Sequence, residues 1–168
     1  MKYIYLGKIV NTHGIKGELR LLSNFKYKNR VFKKEFKIYI GKDKILEEIN
    51  SYRQHKQFDM ITLKGYNNIN DVLKYKSLNV YINKDDLLLG NNEYLDEDLI
   101  GLSIIVNGKC VGKLKRIDKN KFQDILVATN EEKTYLIPYV DAFINKIDLA
   151  NREIIINDIK GLIEWNLI

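Results

Sequence analysis

The opening residues alternate. Lys2 to Val10 interleaves polar and apolar positions in the way a half-buried strand does, and Glu18 to Leu22 resumes the pattern after a glycine-rich turn. Phe36 to Gly41, Leu46 to Tyr52, Met60 to Leu63 and Leu78 to Ile82 are further strand-length runs, split by Gly, Asn and charged residues. One helix is predicted in this half: Asn70 caps it, Asp71 suits its first turn, and it continues through Val72 and Leu73 to Lys76. Lys84 to Glu93 breaks the pattern, with Lys-Asp-Asp, three leucines and Gly90-Asn91-Asn92-Glu93.

Beyond that break the runs are again short. Leu102 to Val106 and Lys109 to Leu114 flank Asn107-Gly108, a pair that tolerates the positive φ of a type I′ hairpin turn. Ile125 to Thr129 and Thr134 to Ile137 flank Asn130 to Lys133, and Ile144 to Leu149 and Ile154 to Ile156 flank Ala150 to Arg152. Gly161 to Trp165 is expected to close the chain as a helical turn or packed tail. There is no fixed-period repeat and no low-complexity tract. Closely spaced short strands predict an all-β protein of barrels or sandwiches. The expected division is 1–84 as a first domain, 85–93 as a linker and 94–168 as a second domain.

Composition supports a packed core: of 168 residues, 45% are hydrophobic and 30% charged. The single cysteine, Cys110, allows no internal disulfide, fits a reducing compartment, and is expected to be a small buried hydrophobe. No targeting segment is visible and no run reaches the roughly 20 apolar residues of a membrane span, so a cytoplasmic location is expected. The net charge is +6. Lys-rich codon bias would spread such charge evenly, yet residues 1–90 hold 18 Lys and Arg against 9 Asp and Glu, and residues 91–168 hold 10 against 13. Opposite signs point to one half facing phosphate and the other not.

The densest local signal runs from Gly7 to Arg20, with His13-Gly14-Ile15-Lys16-Gly17 at its centre. It lacks Walker spacing and joins two strands, so it is a tight connection or a docking loop rather than a nucleotide cradle. His13 is expected to be non-catalytic. With only His55 and Cys110 for company it predicts no metal site, and no cofactor is expected. Residues 1–40 concentrate cations, 10 against 2 acids, and Lys26, Lys28, Arg30, Lys33 and Lys34 interleave with Phe25, Tyr27 and Phe32. That combination suits phosphate contact with base stacking; the plainer reading is a solvated loop with core aromatics. Asp96, Glu97 and Asp98 diverge on an extended chain, so a solvated turn is expected. Leu136-Ile137-Pro138-Tyr139-Val140 marks a strand leaving its sheet. Tyr94, Leu95 and Tyr139 are candidates for exposed contact with a protein partner, against core packing as the alternative.

Three of these segments carry a resemblance. Gly7-Lys8-Ile9 through His13-Gly14-Ile15-Lys16-Gly17-Glu18 resembles the N-terminal signature of the RimM family of ribosome maturation factors. Tyr94 through Asp98-Leu99-Ile100-Gly101 resembles the opening of its PRC-barrel domain, and Leu136 to Val140 with Gly161-Leu162-Ile163-Glu164 is similar to its closing motifs. The resemblance implies a translation-factor-like N-terminal barrel followed by a PRC barrel. It also implies cytoplasmic action on the head of the small (30S) subunit precursor, support of 16S rRNA processing, and binding of small-subunit ribosomal protein nineteen. Two departures stand out: Tyr94 is followed by Leu95 where the family commonly has a second tyrosine, and Ser77 stands where it often has glycine.

The resulting expectation is a monomeric, non-enzymatic ribosome assembly chaperone. Its first barrel would meet rRNA through Lys8, His13, Lys16, Arg20, Lys26, Lys28, Arg30, Lys33 and Lys34, and its second would hold the ribosomal protein through Tyr94, Leu95, Pro138 and Tyr139. The mildly acidic second half complements a basic protein. The rivals are an RNA-acting enzyme using His13 as base and a PRC-barrel scaffold unrelated to ribosomes.

Overall fold

The computed structural model describes residues 1–157, so the segment Gly161 to Trp165 lies outside the described residues. The chain divides into two compact units, Met1–Leu89 and a second beginning at Gly90. The first unit contains β1 (Tyr3–His13), β2 (Glu18–Leu22), α1 (Lys28–Val31), β3 (Lys37–Ile40), β4 (Ile45–His55), β5 (Phe58–Leu63), α2 (Ile69–Val72) and β6 (Asn79–Asn83). Its strands close an antiparallel barrel in the order β1-β2-β5-β4-β3-β6. Leu19 and Leu21, Ile38 and Ile40, Ile61 and Leu63, and Val80 and Ile82 are buried two apart, as the pattern requires, while Leu6 and Ile9 on β1 are buried three apart.

Closure depends on bends in β1. Its register slips between Tyr5 and Gly7 against β6, and between Ile9 and Asn11 against β2, so one eleven-residue strand serves both neighbours. Gly7 is the close approach: a Cβ there would stand 2.6 Å from the Leu22 carbonyl oxygen. Two local expectations change. The helix cap is Asn68, not Asn70: Asn68 is extended (φ −135°, ψ 135°) and its Oδ1 accepts from the Asn70 N–H at 2.9 Å, leaving Asn70 inside the helix. The helix then tightens into a 3₁₀ turn, Leu73–Tyr75, and ends at Ser77, which adopts φ +69°. That left-handed backbone is the one glycine takes without strain, which accounts for the glycine common at this point in the resemblance.

The second unit contains α3 (Asp96–Leu99), β7 (Ser103–Val106), β8 (Lys109–Asp118), β9 (Ile125–Thr129), β10 (Thr134–Pro138), β11 (Ile144–Asp148) and β12 (Glu153–Ile156). They form one sheet in the order β10-β9-β8-β7-β12-β11. The three expected hairpins are present, and Asn107 (φ +51°) and Gly108 (φ +75°) take the conformation of a type I′ turn. β12 instead runs parallel to β7, pairing Ile154 with Ile104. Tyr135 and Ile137 at one end of the sheet and Ile144 and Ile147 at the other join one apolar cluster with Leu99, Ile104, Leu114, Leu126 and Ile154, so the sheet curls around its core.

One further expectation is overturned here, and the premise of another changes. Cys110 is exposed, because β8 bulges opposite β7: Gly112 pairs with buried Ile104 while Cys110 pairs with half-buried Ile105 on the outer face. Asp96, Glu97 and Asp98 lie on a helical turn rather than an extended chain, and Asp96 holds Lys119 at 2.6 Å.

Candidate functional site

The cationic surface of the first unit is built around α1. Asp59 on β5 is fully buried, and two side chains meet its carboxylate: Lys28 Nζ at 2.7 Å and the Tyr52 hydroxyl at 2.8 Å. A buried carboxylate demands such partners. Burial, and then the bond to Asp59, push the Tyr52 phenol up to about 12. Lys28 is thereby spent on the fold, anchoring α1 to the barrel. Tyr27 and Phe32 are also buried, and Phe32 stacks on Tyr52 with ring centres 5.1 Å apart. These aromatics are core, so neither is available for a base. Around this anchored turn Lys26, Arg30, Lys33 and Lys34 are all exposed. Lys26 lies 5.5 Å over the Tyr27 ring and Lys33 lies 5.9 Å over Phe36.

A second group gathers on the outer face where β1, β2, β4 and β5 run side by side. His13 is half-buried at the end of β1 and pairs with Glu18. The Arg20 guanidinium donates to His13 Nδ1 at 2.9 Å and lies 5.0 Å over the Phe58 ring. The guanidinium has only donors, so His13 Nδ1 is the acceptor of this bond. His55 faces His13 at 6.0 Å between ring centres. Arg53 grips Glu18 through two bonds, 2.9 and 2.7 Å, which hold the Glu18 carboxyl below its ordinary range. Sequence reading missed His55, Arg53 and Phe58: their partners lie 35 or more residues away, and only the barrel brings them together.

Lys16 and Ile15 stand exposed on the loop between β1 and β2. The Ile15 carbonyl accepts from the Ile69 N–H at 3.0 Å, and Gly17 (φ +87°) passes so close to Asn68 that a Cβ would meet its backbone at 3.3 Å. The loop is therefore fixed against the start of α2. Lys8 is exposed on β1, separated along the strand from the loop cations.

Of the four residues expected to contact a protein, Leu95 is overturned: it is buried at the N-cap of α3, where its side chain cannot be an exposed anchor. Tyr94 and Tyr139 are half-buried and pack on the apolar cluster. The Tyr94 hydroxyl has its one proton within reach of two carbonyl oxygens, Asn91 at 3.1 Å and Ile147 at 3.4 Å. Pro138 is the last residue of β10, the strand at the end of the sheet order, opposite Ile125. Among the described residues no three His, Cys, Asp or Glu side chains group as a metal site, and no helix is long and apolar enough to cross a membrane.

Comparison with known proteins agrees with this two-unit arrangement. The RimM N-terminal domain matches residues 4–87 and the RimM PRC barrel domain matches residues 96–162. A protein of an Exiguobacterium species, named Ribosome maturation factor RimM, is 34% identical over 98% of this chain and 98% of its own. The protein of that name from Streptococcus mutans is 36% identical over 99% of this chain and all of its own. A crystal structure of a 16S ribosomal RNA processing protein RimM from Pseudomonas aeruginosa aligns with 93% of this chain and 97% of its own, at 21% identity and a TM-score of 0.43. With both domains matched in order and full-length relatives above 30% identity, this chain belongs to the RimM family.

Proposed function

We propose that this protein is a cytoplasmic assembly factor for the small ribosomal subunit. It binds the immature head, supports maturation of 16S rRNA, contacts ribosomal protein nineteen, and acts as a monomeric chaperone without an active site. It stabilises one conformation of the particle by binding it preferentially. The observation that carries the reading is the exposed group Lys26, Arg30, Lys33 and Lys34, held on a closed barrel by the bond from half-buried Lys28 to buried Asp59, in a chain whose full-length relatives are named ribosome maturation factors. Phosphate contact at a rigid turn positions a protein on RNA without reading its bases. The loop carrying Lys16, with Lys8, His13 and Arg20, adds further contacts with the RNA. The second unit holds the protein partner through Tyr94, Pro138 and Tyr139, and its net acidity suits a basic ribosomal protein.

The test is sedimentation of the full chain with small-subunit precursors at several salt concentrations. Reversing Lys26, Arg30 and Lys33 to Glu together is expected to weaken binding and flatten its salt dependence, because fewer counterions are released. An unchanged salt slope, or no co-sedimentation of the unaltered protein, overturns the reading.

A further inference from the structure

The net acidity of the second unit conceals one cationic stretch. Residues 109–121 hold 6 Lys and Arg against a single acid, Asp118, although residues 91–168 as a whole carry 10 against 13. All six cations are exposed along β8 and the turn that follows it. Two are occupied: Arg116 bonds Asp118 at 2.7 and 3.2 Å, and Lys119 bonds Asp96 and Asp124 at 2.6 and 2.7 Å. Lys109, Lys113, Lys115 and Lys121 have no acidic partner among the described residues.

Past the end of β8, next to Lys121, stands Phe122, 91% exposed, more than any other large hydrophobic residue described. Its position is built. Asn120 Oδ1 accepts from the Phe122 and Gln123 N–H groups at 3.1 and 3.3 Å, forming an Asx turn. Lys119 ties the base of this turn to both α3 and Asp124. The Lys121 ammonium lies 6.0 Å from the ring centre. A protein-binding anchor is ordinarily surrounded by further apolar surface in an interface of about 800 Å² per partner. Here the sequence neighbours are Asn120, Lys121 and Gln123, and β8, which leads into the turn, carries the exposed lysines Lys113 and Lys115. A lone aromatic face among unpaired cations matches the recognition of a single nucleic-acid strand, in which a base stacks on the ring and the backbone phosphates meet the lysines.

We propose that the β8–β9 turn is a second RNA-binding site, which stacks an unpaired base on Phe122 and draws the adjoining phosphates to Lys113, Lys115 and Lys121. A duplex does not fit it, because its bases present no free face. The site stands on the second unit alone and does not depend on which particle the protein serves.

The test uses the full chain carrying Phe122→Trp, whose added fluorescence reports stacking at this ring and not at the first unit's cations. A single-stranded oligoadenylate of about 10 nucleotides is the probe. Saturable quenching is expected, and Phe122→Ala is expected to weaken oligonucleotide binding by about 10-fold in anisotropy. Reversing Lys113, Lys115 and Lys121 to Glu should flatten the log–log salt slope of the quenching by about 2. The proposal is overturned if the F122W signal stays constant while anisotropy shows the chain saturated, if a duplex quenches equally, or if the charge reversals leave the slope unchanged. It is also overturned if Phe122→Ala releases a protein from RNase-treated particles while oligonucleotide binding is untouched. Loss of particle co-sedimentation with quenching retained would sink the assembly role and leave this site standing.

Discussion

At the scale of single residues, chemistry separates lysines that look alike in sequence. Lys28 belongs to the run Lys26 to Lys34, yet it neutralises a carboxylate 31 residues away, while its exposed neighbours face solvent. Lys28→Ala strands Asp59 with the Tyr52 hydroxyl alone. Lys28 is itself about one-third exposed, so water offsets part of the penalty, and the expected loss is about 2 to 3 kcal/mol of unfolding free energy. Lys33→Ala should cost less than about 0.5 kcal/mol. Urea denaturation of the two variants checks this; equal midpoints would show that the pair does not anchor α1. Nothing local marked Lys28 as different, because its partner lies 31 residues on, on β5, and meets α1 only in the folded barrel. Leu95 and Cys110 teach the same point: a capping position and a bulge decided their exposure, and neither is visible in an alternation of residue types.

At the scale of elements, most of the architecture was legible. Strands followed from alternation, and hairpins followed from Asn-Gly and from polar breaks between apolar runs. The sequence did not reveal α1, four residues long and lacking a side-chain cap, or the site on the outer face of β1, β2, β4 and β5, whose members come from distant strands. Within that face the Glu18–Arg53 pair links β2 to β4 across β5. The Glu18 carboxyl is held below its usual value by the fold. The unfolded chain therefore takes up this proton first as pH falls. The contribution is complete above the unfolded carboxyl's range of about 4.5 and is lost as pH drops through the folded value. Glu18→Gln should lower the urea midpoint at neutral pH and make its decline between about pH 5 and pH 3 shallower. Parallel curves for variant and unaltered protein would remove the pair from the stability of the barrel.

At the scale of the whole molecule, the two units close in different ways. The first is complete once β6 has paired with β1, within residues 1–89. The second seats β12 between β7 and β11, so its sheet lacks an interior strand until residues 153–156 arrive. A chain ending after Leu149 is expected to keep the first unit's amide resonances and lose those of the second sheet; survival of the second set would contradict the parallel insertion. The same insertion orders events during synthesis. Domains fold as they emerge, the N-terminal one first. The barrel that carries the Lys26–Lys34 surface can mature while translation continues, whereas the curled sheet waits on residues 153–156. A nascent chain stalled before β12 would thus expose a finished cationic lobe followed by an unfinished one, so a product cut short at that point can still approach RNA but has lost whatever the second half holds.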